Sequence, residues 1–82
     1  MDYFERIKKM IIKELDIPAE RIVMEASFRD DLGASSVEIF DLILAFEDEF
    51  GMEIPDEDAV LITTISDAVD YLKKRLEKNS RQ

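Results

Sequence analysis

Two adjacent serines stand where a helix should begin, in the stretch Asp31-Leu32-Gly33-Ala34-Ser35-Ser36-Val37-Glu38. Gly33 marks a break, Ser35 is a good N-cap, and Glu38 three residues later can close a capping box. Ser36 then falls in the first helical turn, where backbone N–H groups lack intrahelical partners and the peptide dipoles point their positive end outward. A phosphate carried on the Ser36 hydroxyl would be stabilised there. The same residues also make an ordinary capped helix with an incidental second serine, and the local pattern leaves both readings open.

Other chemistry is poorly provided for. The 82 residues include no histidine and no cysteine, so Ser36 has no imidazole base and the chain has neither a thiol nucleophile nor a Cys/His set for zinc. No Lys or Arg occurs between Asp30 and Leu72, which removes a Ser–Lys pair as well. Carboxylates are plentiful, but helical spacing alone brings pairs of them together on any acidic surface. An enzyme is not expected.

The formal net charge of −9 argues against nucleic acid, whose phosphates need Lys or Arg to replace their counterions. Partners should be basic. The cations gather in the first helix, at Arg21 and Arg29, and from Lys73 onward, leaving an acidic middle that would speed encounter with positive protein surfaces in a salt-dependent way. The N-terminus lacks a basic segment followed by an apolar run, and no stretch approaches the roughly 18 apolar residues of a membrane span. Cytoplasm is the expected compartment, and one small monomeric domain over residues 1–82, with about 79–82 as a frayed tail, is the expected organisation. Without disulfides, the hydrophobic core must hold so short a chain together.

Apolar spacing supplies the elements. Phe4, Ile7, Ile11 and Leu15 share one helical face with Tyr3 and Met10 at its flank, Asp2 and Glu5 can cap its start, and Pro18 stops it near Ile17. A long connection from Asp16 to Ala34 follows, with a short helical turn near Ala19 to Ile22; Ile17, Ile22, Val23, Phe28 and Leu32 should pin it across the domain. The second helix, Ser36 to about Phe50, has a core stripe of Ile39, Leu42, Ile43, Phe46 and Phe50. Val37, Phe40 and Leu44 form another stripe among carboxylates. That stripe is either covered by the first helix or loop, or is a partner surface on which charge steers and apolar groups anchor.

Gly51 suits the end of this helix, and Pro55 with Asp56, Glu57 and Asp58 opens a very short third one. Glu47, Asp48, Glu49, Glu53, Asp56, Glu57 and Asp58 are expected to crowd together, with salt or a weakly held divalent cation relieving the repulsion. No EF-hand spacing is present, and no dedicated metal site is expected. Thr64 and Asp67 can cap the last helix, whose core stripe is Ile65, Ala68, Val69, Leu72 and Leu76 and whose end carries Lys73, Lys74, Arg75 and Lys78. The fold class is therefore all-α, a small antiparallel four-helix bundle of three longer helices and one short one, with a long first loop.

From Asp31 to Leu72 the chain resembles the acyl carrier proteins: Asp31-Leu32-Gly33-Ala34, a serine at Ser36, Glu47-Asp48-Glu49-Phe50-Gly51-Met52-Glu53-Ile54-Pro55-Asp56-Glu57-Asp58-Ala59, then Ile62-Thr63-Thr64 and Asp67-Ala68. The resemblance implies that Ser36 carries 4′-phosphopantetheine, attached by a phosphopantetheinyl transferase, and that the prosthetic group supplies the missing thiol. It implies that the second helix docks synthases and acyl-transferring enzymes through Val37, Glu38, Phe40, Asp41, Leu44, Glu47 and Asp48. It also implies a shelter for an acyl chain between helices, for which Phe46, Ile54, Ala59 and Ile62 are the candidates. The family usually has Asp-Ser-Leu at the attachment site, whereas this chain has Ser35-Ser36-Val37. Ser35 keeps the cap but not the charge, and it is the alternative attachment point. The expected role is a discrete acyl carrier of fatty acid or polyketide-type synthesis, with an aminoacyl or peptidyl carrier and an unmodified helical interaction module as the alternatives.

Overall fold

The computed structural model describes the backbone of residues 2–80 and the side chains of residues 2–77; the Lys78 side chain and the last two residues of the expected tail lie outside this range. Helix α1 spans Tyr3–Leu15, a three-residue 3-10 turn spans Ala19–Arg21, α2 spans Ser36–Phe50, α3 spans Asp56–Ala59 and α4 spans Ile65–Ser80. Among the described residues the remaining regular pairing is one antiparallel bridge between Ser27 and Thr64.

Short side chains define where the three longer helices start. The Asp2 carboxylate accepts from the Glu5 N–H at 3.1 Å, and the Thr64 hydroxyl from the Asp67 N–H at 3.1 Å. Helix α1 ends on Asp16, which adopts φ 56° so that its N–H reaches the Ile12 carbonyl; aspartate tolerates this left-handed conformation better than most residues. Helix α2 ends on Gly51 at φ 63°, where glycine avoids the strain of a side chain.

The helices pack by their apolar stripes. Ile7 and Ile11 of α1, Leu42 and Phe46 of α2, and Ile65, Ala68 and Leu72 of α4 are buried together, with Ile22, Phe28 and Leu32 of the long loop and Ile54 closing the cluster. The start of α1 meets the end of α2: Tyr3 and Phe50 stand 6.5 Å apart between ring centroids, and Arg6 pairs with Glu49 while lying 4.7 Å over the Phe50 ring. The two helices therefore run antiparallel.

The long loop is not a free linker. Its backbone bonds to the entrance of α4, with Ile65 N–H donating to the Ala26 carbonyl at 3.0 Å, Ser66 N–H to Met24 at 2.8 Å and Phe28 N–H to Thr63 at 3.0 Å. One expected pin is absent: Val23 is exposed, at the start of a turn in which its carbonyl accepts the Ala26 N–H at 3.0 Å.

Three of the acids expected to crowd together have partners of their own. Glu49 pairs with Arg6, the Glu47 carboxylate accepts the Ile54 N–H at 2.7 Å, and Asp58 accepts the Tyr71 hydroxyl at 2.7 Å. No three carboxylates among the described residues converge as ligands of an ion.

Candidate functional site

Position in the site begins with the cap of α2. Ser35 takes an extended conformation, its hydroxyl accepts from the Glu38 N–H at 3.2 Å, and the Glu38 carboxylate accepts from the Ser35 N–H at 2.9 Å. Both arms of the capping box are made, so two groups at the helix entrance are satisfied locally. Ser36 is the first residue of the helix and is exposed. Its hydroxyl is left to face solvent and whatever approaches from the loop.

Arg29 approaches from the loop. Its guanidinium donates to the Ser36 Oγ at 2.6 Å. The turn that delivers it is stitched by the Ser27 N–H to the Asp31 carboxylate at 2.7 Å, the Asp30 N–H to the Ser27 hydroxyl at 3.1 Å, and the Leu32 N–H to the Ser27 carbonyl at 3.0 Å. Phe28 is buried beneath this turn, and the Ala34 N–H returns to the Phe28 carbonyl at 2.8 Å. Gly33 at φ 71° makes that return. No atom lies within 4 Å of where its Cβ would be, so glycine is needed there for backbone conformation and not for space.

Beside Ser36 and Arg29 opens a cleft of about 500 Å³ whose apolar walls are Phe28, Ile39, Phe40 and Ile43 on one side and Ala59, Val60 and Ile62 on the other. Of the four residues suggested for an acyl shelter, Ala59 and Ile62 line this cleft. Phe46 and Ile54 are 3% and 6% exposed in the core and do not line it. Ile39, Phe40 and Ile43 take their place because α2 turns that side of its stripe toward α3, a direction that helical period alone does not specify.

The second stripe of α2 is uncovered. Val37, Phe40 and Leu44 are 70%, 56% and 48% exposed, and neither α1 nor the loop folds over them. Asp41 and Asp48 are exposed beside them. Glu38 and Glu47, grouped with these by sequence, also accept backbone N–H groups, at Ser35 and Ile54. Val60 and Leu61, both largely exposed after α3, add apolar surface that the sequence analysis did not single out.

Two titratable groups are displaced from their ordinary range, both behind the site. Asp67 is held below the usual carboxylate value chiefly by the Thr63 N–H; burial, the next effect in size, opposes this, and the Thr63 hydroxyl and the Thr64 N–H and hydroxyl add further downward contributions. Burial pushes the Tyr71 phenol up, and its bond to Asp58 acts in the same direction. Arg75 also donates to the Tyr71 oxygen, so α4 holds the short α3 through one phenol.

Arg29 is the site residue that sequence reasoning missed. It precedes Ser36 by seven residues across a turn, a separation with no helical or strand period to announce it; the local signal was a lone cation before an acidic stretch. In the comparison with known families, the sequence model described as "Phosphopantetheine attachment site" matches residues 5–72, from the first turn of α1 into α4.

Proposed function

The chain belongs to the phosphopantetheine attachment-site family, whose members carry covalently bound 4′-phosphopantetheine, and on that premise we propose that Ser36 is the residue that carries it here. The observation that supports this reading is the exposed Ser36 hydroxyl at the first position of α2, set beside a largely apolar cleft. The residues fit the group. A phosphodiester on this oxygen meets the positive end of α2 and a guanidinium, and an arm leaving it has the cleft on one side and solvent on the other.

The prosthetic group would supply a terminal thiol, which the chain lacks. Everything else falls to the protein's own side chains. The Ser35 and Glu38 box holds the helix entrance, and with it Ser36, at a defined place. The Val37, Phe40 and Leu44 stripe offers apolar anchors, while Asp41 and Asp48 attract basic docking surfaces of a phosphopantetheinyl transferase and of acyl-transferring enzymes. A free thiol of pKa about 8.5 is only a few per cent ionised at neutral pH, so its activation belongs to the partner enzyme.

Within the carrier role we assign an acyl cargo, as in fatty acid or polyketide-type synthesis, because the cleft wall is apolar and would shelter a hydrocarbon chain better than a charged aminoacyl group. We place the carrier in the cytoplasm as a monomer; none of its described helices is long and apolar enough to cross a membrane.

The test is intact-protein mass after incubation with coenzyme A, magnesium and a broad-specificity phosphopantetheinyl transferase, followed by peptide mapping. Gain of one phosphopantetheinyl group on Ser36 is expected. No gain, while a standard carrier is modified in parallel and the protein from its native cells is also unmodified, would replace this reading with that of a helical interaction module.

A further inference from the structure

We propose that Arg29 is the positioning residue for the attached phosphate: the guanidinium that now donates to the Ser36 hydroxyl moves its hydrogen bond to the phosphodiester oxygens once that hydroxyl is esterified. This inference rests on the assignment of Ser36 as the attachment residue. Its basis is the 2.6 Å contact between the Arg29 Nη2 and the Ser36 Oγ. Esterification puts phosphorus on the very atom that Arg29 touches, so the anionic oxygens arise one bond beyond its present acceptor. The bridging oxygen becomes a poorer acceptor and the new oxygens are better ones. A charge-assisted bond is shorter and roughly twice as strong as a neutral one, and the guanidinium fork can serve two oxygens at once.

Competition for the guanidinium is limited by the local structure. The Asp31 carboxylate already accepts the Ser27 N–H, and the Glu38 carboxylate already accepts the Ser35 N–H. Ser35, directly before the attachment point, is neutral. Asp30 lines the same cleft and would bring a like charge toward the new anion, which the Arg29 guanidinium beside it offsets. Arg29 also lines the cleft, so a phosphate held on it aims the first part of the arm along the cleft and away from the acidic outer face of α2.

The experiment uses apo and phosphopantetheinylated full-length protein, wild type and Arg29→Gln, with Ser36 modification verified in each by mass and peptide mapping. Two readouts follow: the melting temperature with and without the group, and NMR of the phosphodiester phosphorus and the Arg29 Nε–Hε pair. In low salt, modification should raise the wild-type melting temperature by about 2–4 °C, most of that gain should vanish in Arg29→Gln, and the Arg29 Nε–Hε signal should move on modification. The gain should shrink as salt rises.

An equal gain in wild type and Arg29→Gln, or an Arg29 signal unchanged by modification, would overturn the proposal while leaving Ser36 as the attachment residue. If Arg29→Gln folds but is not modified, the wild-type NMR comparison decides alone. Absence of mass gain in the wild type would overturn the Ser36 assignment and this proposal with it.

Discussion

Replacing Ser35 and Ser36 one at a time separates the cap of α2 from the attachment point proposed at Ser36. The Ser35 hydroxyl accepts the Glu38 N–H at 3.2 Å, and Ser35→Ala leaves that donor without its partner. The reciprocal bond from the Ser35 N–H to the Glu38 carboxylate uses backbone and survives the change. The loss is therefore that of one N-cap, about 1 kcal/mol, and not of the whole box. For a domain of this size about 1 kcal/mol lowers the melting temperature by roughly 4–8 °C. Ser36→Ala removes an exposed hydroxyl from the first helical position, where alanine is a good helix former, so its effect should stay within about 0.5 kcal/mol, under roughly 4 °C. Ser35→Asp keeps a capping oxygen and adds a charge that the helix dipole favours, so it should melt at or above the wild type. Thermal melts by circular dichroism on the apo proteins, paired with intact mass after the transferase reaction, should give a crossed result. Ser35→Ala is less stable but modified, and Ser36→Ala is stable but unmodified. Modification of Ser36→Ala with failure of Ser35→Ala would move the attachment to Ser35, and an unchanged melt for Ser35→Ala would refute the cap as what holds the helix entrance.

Three further outcomes follow from the packing and the displaced groups. Phe46→Ala should cost about 3–5 kcal/mol and leave a domain of this size largely unfolded by denaturant titration at modest urea, whereas Phe40→Ala should change stability by less than about 0.5 kcal/mol. Asp67 ionises more readily folded than unfolded, so its contribution is complete above the ordinary carboxylate pKa of about 4 and is lost as pH falls through the lower folded value; Asp67→Asn should flatten that acid limb of melting temperature against pH. Tyr71 has the opposite limb: with its phenol pKa raised, stability is held below about pH 10 and lost as pH climbs from there toward the folded value, and Tyr71→Phe should abolish this alkaline loss while costing about 1 kcal/mol at neutral pH.

What the sequence made legible was local. Asp2 with Glu5, Ser35 with Glu38, and Thr64 with Asp67 are each three residues apart, and all three caps are formed. The stripes of α1 and α4 repeat at helical period: Ile7, Ile11, Ile65, Ala68 and Leu72 are buried, Phe4, Leu15, Val69 and Leu76 are partly buried against them, and Tyr3, expected at the flank, is buried too. What stayed hidden depends on where distant segments dock. The Arg29 contact with Ser36 requires the Ser27 to Leu32 turn, and the inner face of the cleft depends on which side of α2 meets α3. Glu47 reads as a docking charge until Ile54 folds back and takes its carboxylate. In each case the partner lies on a segment that no sequence interval points to: a hydroxyl for Arg29, a facing helix for the cleft wall, and a backbone N–H for Glu47.

The same long-range bonds explain why the site's cation is fixed while one wall of its cleft is not. Arg29 rides on a turn whose neighbours donate to and accept from the backbone at Thr63 to Ser66, so its position is tied to the well-packed entrance of α4. Helix α3, by contrast, has four residues, no side-chain cap and no fully buried residue; Ala59 packs partly against the core and the Tyr71 hydroxyl donates to Asp58. Such a segment belongs to the low-stability end of a fold. The α2 wall, backed by Leu42 and Phe46, holds its place. On the proposed acyl-carrier reading, entry of an acyl chain should therefore displace Ala59, Val60 and Ile62 and leave Ser36 and Arg29 where they are, so the proposed attachment point keeps its geometry while the cleft beside it opens.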